Sequence, residues 1–278
     1  MALVPFPSAS PRPPDDDDRH IHLTDPDPFD DDAAGARMSF LEHLDELRKR
    51  LIRCVIGLVV GVAVAFIFIN RIFRFVLLPL QQRLPDGGTF ITTEGPEYFM
   101  LYLKVALLAG LFVAMPFILW QIWLFIAPGL YSHEKRLAIP FVLFASLFFF
   151  MGSAFAHYIA FPWTWDFFVN FSNSEFVTFM PKIGPTFSLY VKVILGFGVI
   201  FQMPTLVFFL ARMGLVTAGF LVKNTKYAVL IIFILAAVLS PGGDITSQVL
   251  MAGPMLVLYA ISIFVAWVVA PRRQPDTA

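Results

Sequence analysis

The chain has 278 residues, 58% of them hydrophobic and only 14% charged, so it is far more apolar than an average globular domain. A water-soluble core of this size could not hide 32 phenylalanines, so lipid must solvate the surface and the chain reads as an integral membrane protein. The formal charge of zero is a cancellation, because residues 1–36 hold nine Asp against two Arg whereas residues 37–278 hold 18 bases against 11 acids. The single cysteine, Cys54, excludes an intrachain disulfide and any cysteine-based metal site.

In chain order, residues 1–37 are rich in Pro and Asp (Asp15 to Asp18, Asp30 to Asp32) and carry too little apolar surface to offset the entropy of ordering. They read as a disordered acidic tail. Ser39 and Glu42 then form a capping box, which opens a helix. Phe40, Leu44, Leu47 and Leu51 recur at helical spacing as one apolar stripe. Asp45–Lys49 and Glu46–Arg50 are i,i+4 pairs with the acid first, the favourable orientation. The run Leu51 to Asn70 is long enough to span a bilayer. Its basic flank and Ala63-Val64-Ala65 also imitate a cleavable signal peptide, but cleavage would discard the capped helix and strand the remaining spans.

Residues 71–102 read as a loop with an amphipathic piece, Ile72 to Leu78, ended by Pro79, and with a turn at Pro85-Asp86-Gly87-Gly88. Glu94 and Glu97 in this loop read as solvated. Leu103 to Ile126 is the second span, with Pro116 tolerated inside it. A polar link, Pro128 to Arg136, leads to a third span over Ile139 to Phe161. Trp163 and Trp165 follow it at the position of an interfacial aromatic belt. After a mixed polar loop over 166–184, the fourth span covers Phe187 to Met213 and is interrupted by Pro204. Thr217 to Lys226 is a second polar link. Two final apolar runs, Tyr227–Leu239 and Val249–Ala270, flank Ser240-Pro241-Gly242-Gly243-Asp244, and the fold class is all-α with six transmembrane helices, the last two short. The first of these runs would rise only about 20 Å against a hydrocarbon core of roughly 30 Å. The domain division is therefore tail 1–37, transmembrane domain 38–271 and short tail 272–278.

Six spans put twelve Lys and Arg on the side holding both termini and six on the other. Positive charge marks the cytoplasmic side, so both termini are expected there.

The sequence lacks a phosphate-cradling glycine loop, a His-Glu-x-x-His pair and a Gly-x-Ser-x-Gly elbow, so neither a nucleotide-driven pump nor an intramembrane hydrolase is expected. No cofactor, no metal and no nucleic-acid partner is expected either. His157, alone within a span, reads as a packed histidine. Gln202, in the middle of the fourth span, is an amide at a depth where it must pair with another helix or with a partner. Asp244 and Gln248 lie at the turn between the last two runs, where Asp244 suits a cap. Glu42, Asp45, Glu46 and Glu134 fall on the cytoplasmic side, where topology asks for bases. Carboxylates there suit a bound guanidinium through forked hydrogen bonds, or simple intrahelical pairing. A small-solute transporter would show ionisable groups at mid-depth or an internal repeat, and the spans show little of either. A membrane scaffold is the remaining alternative class.

Several stretches in order carry a resemblance. They are Glu42-His43-Leu44-x-Glu46-Leu47-Arg48-x-Arg50-Leu51; Phe125-Ile126-Ala127-Pro128-Gly129-Leu130-Tyr131 with His133-Glu134-x-Arg136; Gly152-x-Ala154-Phe155 with Phe161-Pro162; Phe197-Gly198-x-x-Phe201-x-x-Pro204; and Asp244-x-x-x-Gln248. From Phe40 to Ala270 the chain resembles the TatC component of the twin-arginine protein translocase. The resemblance implies a multi-pass protein of the bacterial inner membrane that docks the signal peptides of folded proteins through their paired arginines. It implies Glu46 and Glu134 as the carboxylates that hold those arginines, with Arg48 and Phe125 shaping the same site. Gln202, at a position that is often Glu in the family, is implied as an intramembrane or partner contact, together with Asp244 and Gln248. Single-span TatA- and TatB-type proteins, a homo-oligomer within a larger complex and energy from the proton gradient are implied as well. One geometric point stands apart from the resemblance: at 100° per residue Glu46 and Arg48 project about 160° apart, so they cannot face one small ligand from the same side of a helix.

Overall fold

The computed structural model describes residues 40–84, 88–126, 138–172, 179–240 and 245–269. Both tails expected from the sequence, 1–37 and 272–278, lie outside the described residues. In chain order the helices are α1 (Phe40–Ile67), α2 (Ile69–Gln81), α3 (Glu97–Ile126), α4 (Ala138–Phe155), α5 (Phe161–Ser172), α6 (Ile183–Ile200), α7 (Gln202–Arg212), α8 (Ala218–Lys223), α9 (Thr225–Leu239) and α10 (Ile245–Val269). Five stretches are long and apolar enough to cross a membrane: Glu42–Ile67, Glu97–Phe125, Ile139–Ser172, Ile183–Arg212 and Ile245–Val269, with the shorter α9 as a sixth apolar segment. The all-α, six-segment organisation is as expected.

Several boundaries depart from expectation: α3 begins at Glu97 rather than Leu103, α6 at Ile183 rather than Phe187, and α2 runs through Pro79 to Gln81 instead of ending there. The last segment is not short: α10 has 25 residues and rises about 37 Å, whereas α9 has 15 and rises about 22 Å. The polar residues before Val249 suggested a later start, but Ser247 is buried and the Gln248 amide donates to the Phe233 carbonyl of α9 at 2.9 Å. Polar side chains satisfied between helices extend a span that hydropathy alone cuts back. The third segment is also longer, running helically past Phe161 to Ser172. Trp165 is consequently not interfacial but buried, stacked on Phe161 at 5.9 Å, while Trp163 is 56% exposed.

Backbone chemistry explains the breaks. Pro162 cannot donate to the Tyr158 carbonyl and crowds it, and the preceding turn, Ala156–Ala160, widens to a π-helix. That turn carries His157 into the interior, where its Nδ1 lies 2.9 Å from the Tyr190 hydroxyl and its ring stacks on Phe75. Pro204 likewise leaves the Ile200 carbonyl without its helical donor, and the fourth segment breaks at Phe201, between α6 and α7. At the far end of α7, Gly214 takes φ +74°, with Gly214 N–H donating to Ala211 O at 3.0 Å and Leu215 N–H to Leu210 O at 2.9 Å. This double bond across a left-handed glycine terminates the helix. Thr217 then caps α8 by accepting from Phe220 N–H at 3.2 Å.

The main core gathers α2, α3, α5, α6, α9 and α10 around Phe161, Phe187, Phe197, Trp165, Val193 and Met255. A smaller cluster joins Leu119 and Trp123 of α3 to Phe141 and Ala145 of α4 and Phe209 of α7. Lipid is as apolar as these side chains, so close backbone approach rather than hydrophobic exclusion must hold the helices together. A Cβ added to Gly152 of α4 would lie 2.6 Å from the Phe197 carbonyl oxygen of α6. Gly61 of α1 abuts the Gly110 backbone of α3 even more closely.

Candidate functional site

The end of α1 that carries the charged motif contains a short polar relay. Glu46 and Arg50 sit one turn apart on the same face, and Glu46 Oε1 accepts from Arg50 Nη2 at 3.0 Å, the pair expected from the i,i+4 spacing. Arg50 Nη1 donates in turn to Gln121 Oε1 on α3 at 3.3 Å. Gln121 is only 5% exposed, and the side chains of Glu46 and Arg50 are 18% and 19% exposed. The second carboxylate oxygen, Glu46 Oε2, is buried and has no hydrogen-bond partner among the described residues.

An unsatisfied buried carboxylate oxygen costs on the order of 1–3 kcal/mol or more, because desolvation is not repaid. The relay is therefore an acceptor with one half filled and one half open. A guanidinium could complete it, since its forked N–H donors can serve Glu46 without displacing Arg50.

Phe125 lies one turn beyond Gln121 on the same face of α3, half-buried. Arg48 is exposed while Glu46 is largely covered, so the two diverge as the helical wheel requires. Glu134 and Asp244 lie outside the described residues. Gln202 and Gln248 are each engaged internally: Gln202 Nε2 donates to the Ala145 carbonyl of α4 at 2.7 Å, and Gln248 ties α10 to α9. The structure thus joins Glu46 to Arg50 and Gln121, and ties Gln202 and Gln248 into separate interhelical bonds. Gln121 was the residue that sequence reasoning missed. An amide among the apolar residues of a span is the signal that could have drawn attention to it, as it did for Gln202.

At the other end of α3, Glu97 is not merely solvated. Its carboxylate accepts from Thr93 N–H and from Gly184 N–H, both at 3.0 Å, tying the start of α3 to the start of α6. A parallel bridge between Ile91 and Lys182 and an ion pair between Arg83 and Asp166 reinforce the same end. Among the described residues no group of three or more His, Cys, Asp or Glu could hold a metal ion.

Six apolar helical segments with a charged, half-satisfied carboxylate relay at one end define a multi-pass α-helical membrane protein. The comparisons name the family. Residues 42–254 match the model of the Sec-independent protein translocase protein (TatC) family. The chain is 42% identical over 237 residues to the TatC protein of Desulforapulum autotrophicum, covering 85% of this chain and 87% of that one. It is 40% identical over 260 residues to the TatC protein of Koribacter versatilis, covering 90% and 95%. A crystal structure titled twin arginine translocase receptor TatC aligns with a TM-score of 0.72 at 36% identity, over 81% of this chain and 98% of that one. The chain belongs to the TatC family and is a component of the twin-arginine, Sec-independent protein translocase, not an enzyme.

Proposed function

We propose that the chain is the receptor subunit of the translocase, docking the paired arginines of signal peptides at its cytoplasmic face. The observation that carries the reading is the open oxygen of Glu46, covered from solvent and held in place by the Arg50–Gln121 relay. Glu134, on the link after α3, supplies the second carboxylate of the clamp, and Phe125 walls the site. Arg48, turned away, orients the helix against headgroups or the following loop rather than touching the peptide. The count of Lys and Arg supports placing both termini in the cytoplasm and the protein in the bacterial inner membrane. Single-span TatA- and TatB-type proteins, further copies of this chain and the inserted peptide would meet the spans, with Gln202, Asp244 and Gln248 as intramembrane contacts. The proton gradient supplies the energy.

Peptide retention by the purified protein tests this. A twin-arginine peptide should be retained and its Lys-Lys counterpart should not, because an ammonium lacks the rigid, planar pair of parallel N–H donors that matches a carboxylate. Glu46→Gln should lower retention of the arginine peptide by about tenfold or more, in line with a charge-assisted bond of 1.5–3 kcal/mol. Equal retention of the two peptides, or undiminished binding by Glu46→Gln, would refute the receptor reading.

A further inference from the structure

Glu46 already holds a guanidinium, and it comes from its own helix. Arginine and carboxylate pair best fork to fork, through two parallel N–H···O bonds. The Glu46–Arg50 pair is not closed in that way. Arg50 Nη2 donates to Glu46 Oε1 at 3.0 Å, but the other terminal nitrogen, Nη1, turns to Gln121 Oε1 on α3 at 3.3 Å. The Arg50 fork is thus divided between two helices, and Glu46 Oε2 stays buried without a hydrogen-bond partner. Left to itself, the pair would relieve that cost by turning Nη1 onto Oε2.

The acceptor on α3 prevents that closure. Gln121 is buried, and Leu119 and Trp123, two residues to either side of it, belong to the cluster with Phe141, Ala145 and Phe209. The most apolar stretch of α1, by contrast, has only 11% of its residues buried. The amide is therefore the fixed member of the relay and the long arginine the adjustable one. A neutral amide oxygen is also a weaker acceptor than a carboxylate, so it diverts one nitrogen without taking the whole guanidinium.

We propose that Gln121 is a positioning residue that keeps Glu46 receptive. By holding Arg50 Nη1 it stops the chain's own arginine from closing over the carboxylate, and it leaves Oε2 to a guanidinium of the incoming peptide. This role presupposes Glu46 as an arginine ligand, as proposed above. Arg50 is then an internal stand-in for a peptide arginine, held half-engaged. Without Gln121 it forks onto both oxygens, and the peptide has to displace it.

Retention of a twin-arginine peptide by the purified full chain, in a double-mutant cycle on Arg50 and Gln121, tests this. Gln121→Leu should lower retention by about tenfold, the worth of one charge-assisted hydrogen bond. Gln121→Glu, which restores an oxygen acceptor in the same place, should recover what Gln121→Leu loses. Arg50→Gln removes the internal competitor and should raise retention, because its amide nitrogen can serve one Glu46 oxygen but cannot span both. In that background Gln121→Leu should change retention by less than about twofold. The denaturant midpoint of each variant in mixed micelles reports folding, and Gln121→Asn, which withdraws the acceptor but stays polar, replaces Gln121→Leu if the latter does not fold. Equal losses from Gln121→Leu in both backgrounds would show that Gln121 acts by packing or touches the peptide itself, and would overturn the proposal. So would failure of Gln121→Glu to recover binding, or loss of binding in Arg50→Gln alone. Glu46→Gln, measured alongside, separates the two levels: undiminished binding there refutes the receptor reading. A loss in Glu46→Gln with none in Gln121→Leu refutes the positioning role alone.

Discussion

The first and fourth membrane segments are nearly indistinguishable in apolar character, yet they live in different solvents. In its most apolar stretch, α1 has 11% of its residues buried, whereas the α6–α7 segment has 44%. Leu51, Ile52, Val55, Ile56, Val59 and Val60 of α1 all face outward, while Phe187, Val193 and Phe197 of α6 are fully enclosed. The fourth segment is gripped from several sides by aromatic packing. α1 is held by a close glycine crossing on α3 and by the Glu46–Arg50–Gln121 relay. The difference teaches that the relay both presents a carboxylate and helps to seat a helix that has little protein around it. The proposed docking chemistry would be built on the most lightly buried of the long spans.

The largest effect should come from the enclosed segment. Phe197 is fully buried, its ring 5.4 Å from Phe155 and 6.5 Å from Phe201, and its carbonyl lies against Gly152. Phe197→Ala should cost about 2–4 kcal/mol, below the roughly 3–5 kcal/mol typical in water because the transfer term nearly cancels in lipid and the lost packing and the cavity remain. Denaturant titration of the protein in mixed micelles measures it. A loss under about 1 kcal/mol would show that the fourth segment is not the centre of the packing.

An intermediate effect should appear where α1 meets α3. Gly57, Gly61 and Ala65 lie at four-residue spacing on α1, and Gly61 meets the Gly110 backbone. Gly61→Leu forces the two helices apart and should cost about 1–3 kcal/mol, as overpacking does. Cys54, the chain's only cysteine and half-buried on α1, reports the change locally. Its reaction with a thiol reagent should speed up in Gly61→Leu at conditions where Phe197→Ala leaves the folded fraction's rate unchanged. Equal acceleration in both would mean that α1 has no independent attachment.

What the sequence made legible follows from which interactions are local. The Glu46–Arg50 pair is one turn long, and spacing alone located it. Its continuation to Gln121 spans 71 positions, and no periodicity encodes that. Hydropathy found the six segments but misplaced several of their ends, because Gln248 is bonded to α9 and Ser247 and Trp165 are buried inside the bundle, where polar or amphipathic character does not mark a boundary. Burial itself was illegible: in a protein dissolved in lipid, outward and inward residues are equally apolar, so composition does not separate α1 from α6. Glu134 and Asp244, two of the seven expected site residues, fall outside the described residues and remain proposals from the family resemblance.

The smallest effect tests that last point. Val59 is 63% exposed on α1. In water, burying such a side chain gives a transfer term of 1.5 kcal/mol or more. Here the folded and the unfolded-in-membrane states both bathe it in hydrocarbon, so the term nearly cancels. Val59→Ala should change stability by less than about 0.5 kcal/mol, as for substitutions away from packed features. The same micelle titration measures it for the isolated chain. Repeated in the assembled translocase, a stability loss or a loss of co-purifying partner in Val59→Ala would show that this face of α1 is covered by protein in the complex. The contrast between α1 and the fourth segment would then describe the lone chain and not the working assembly.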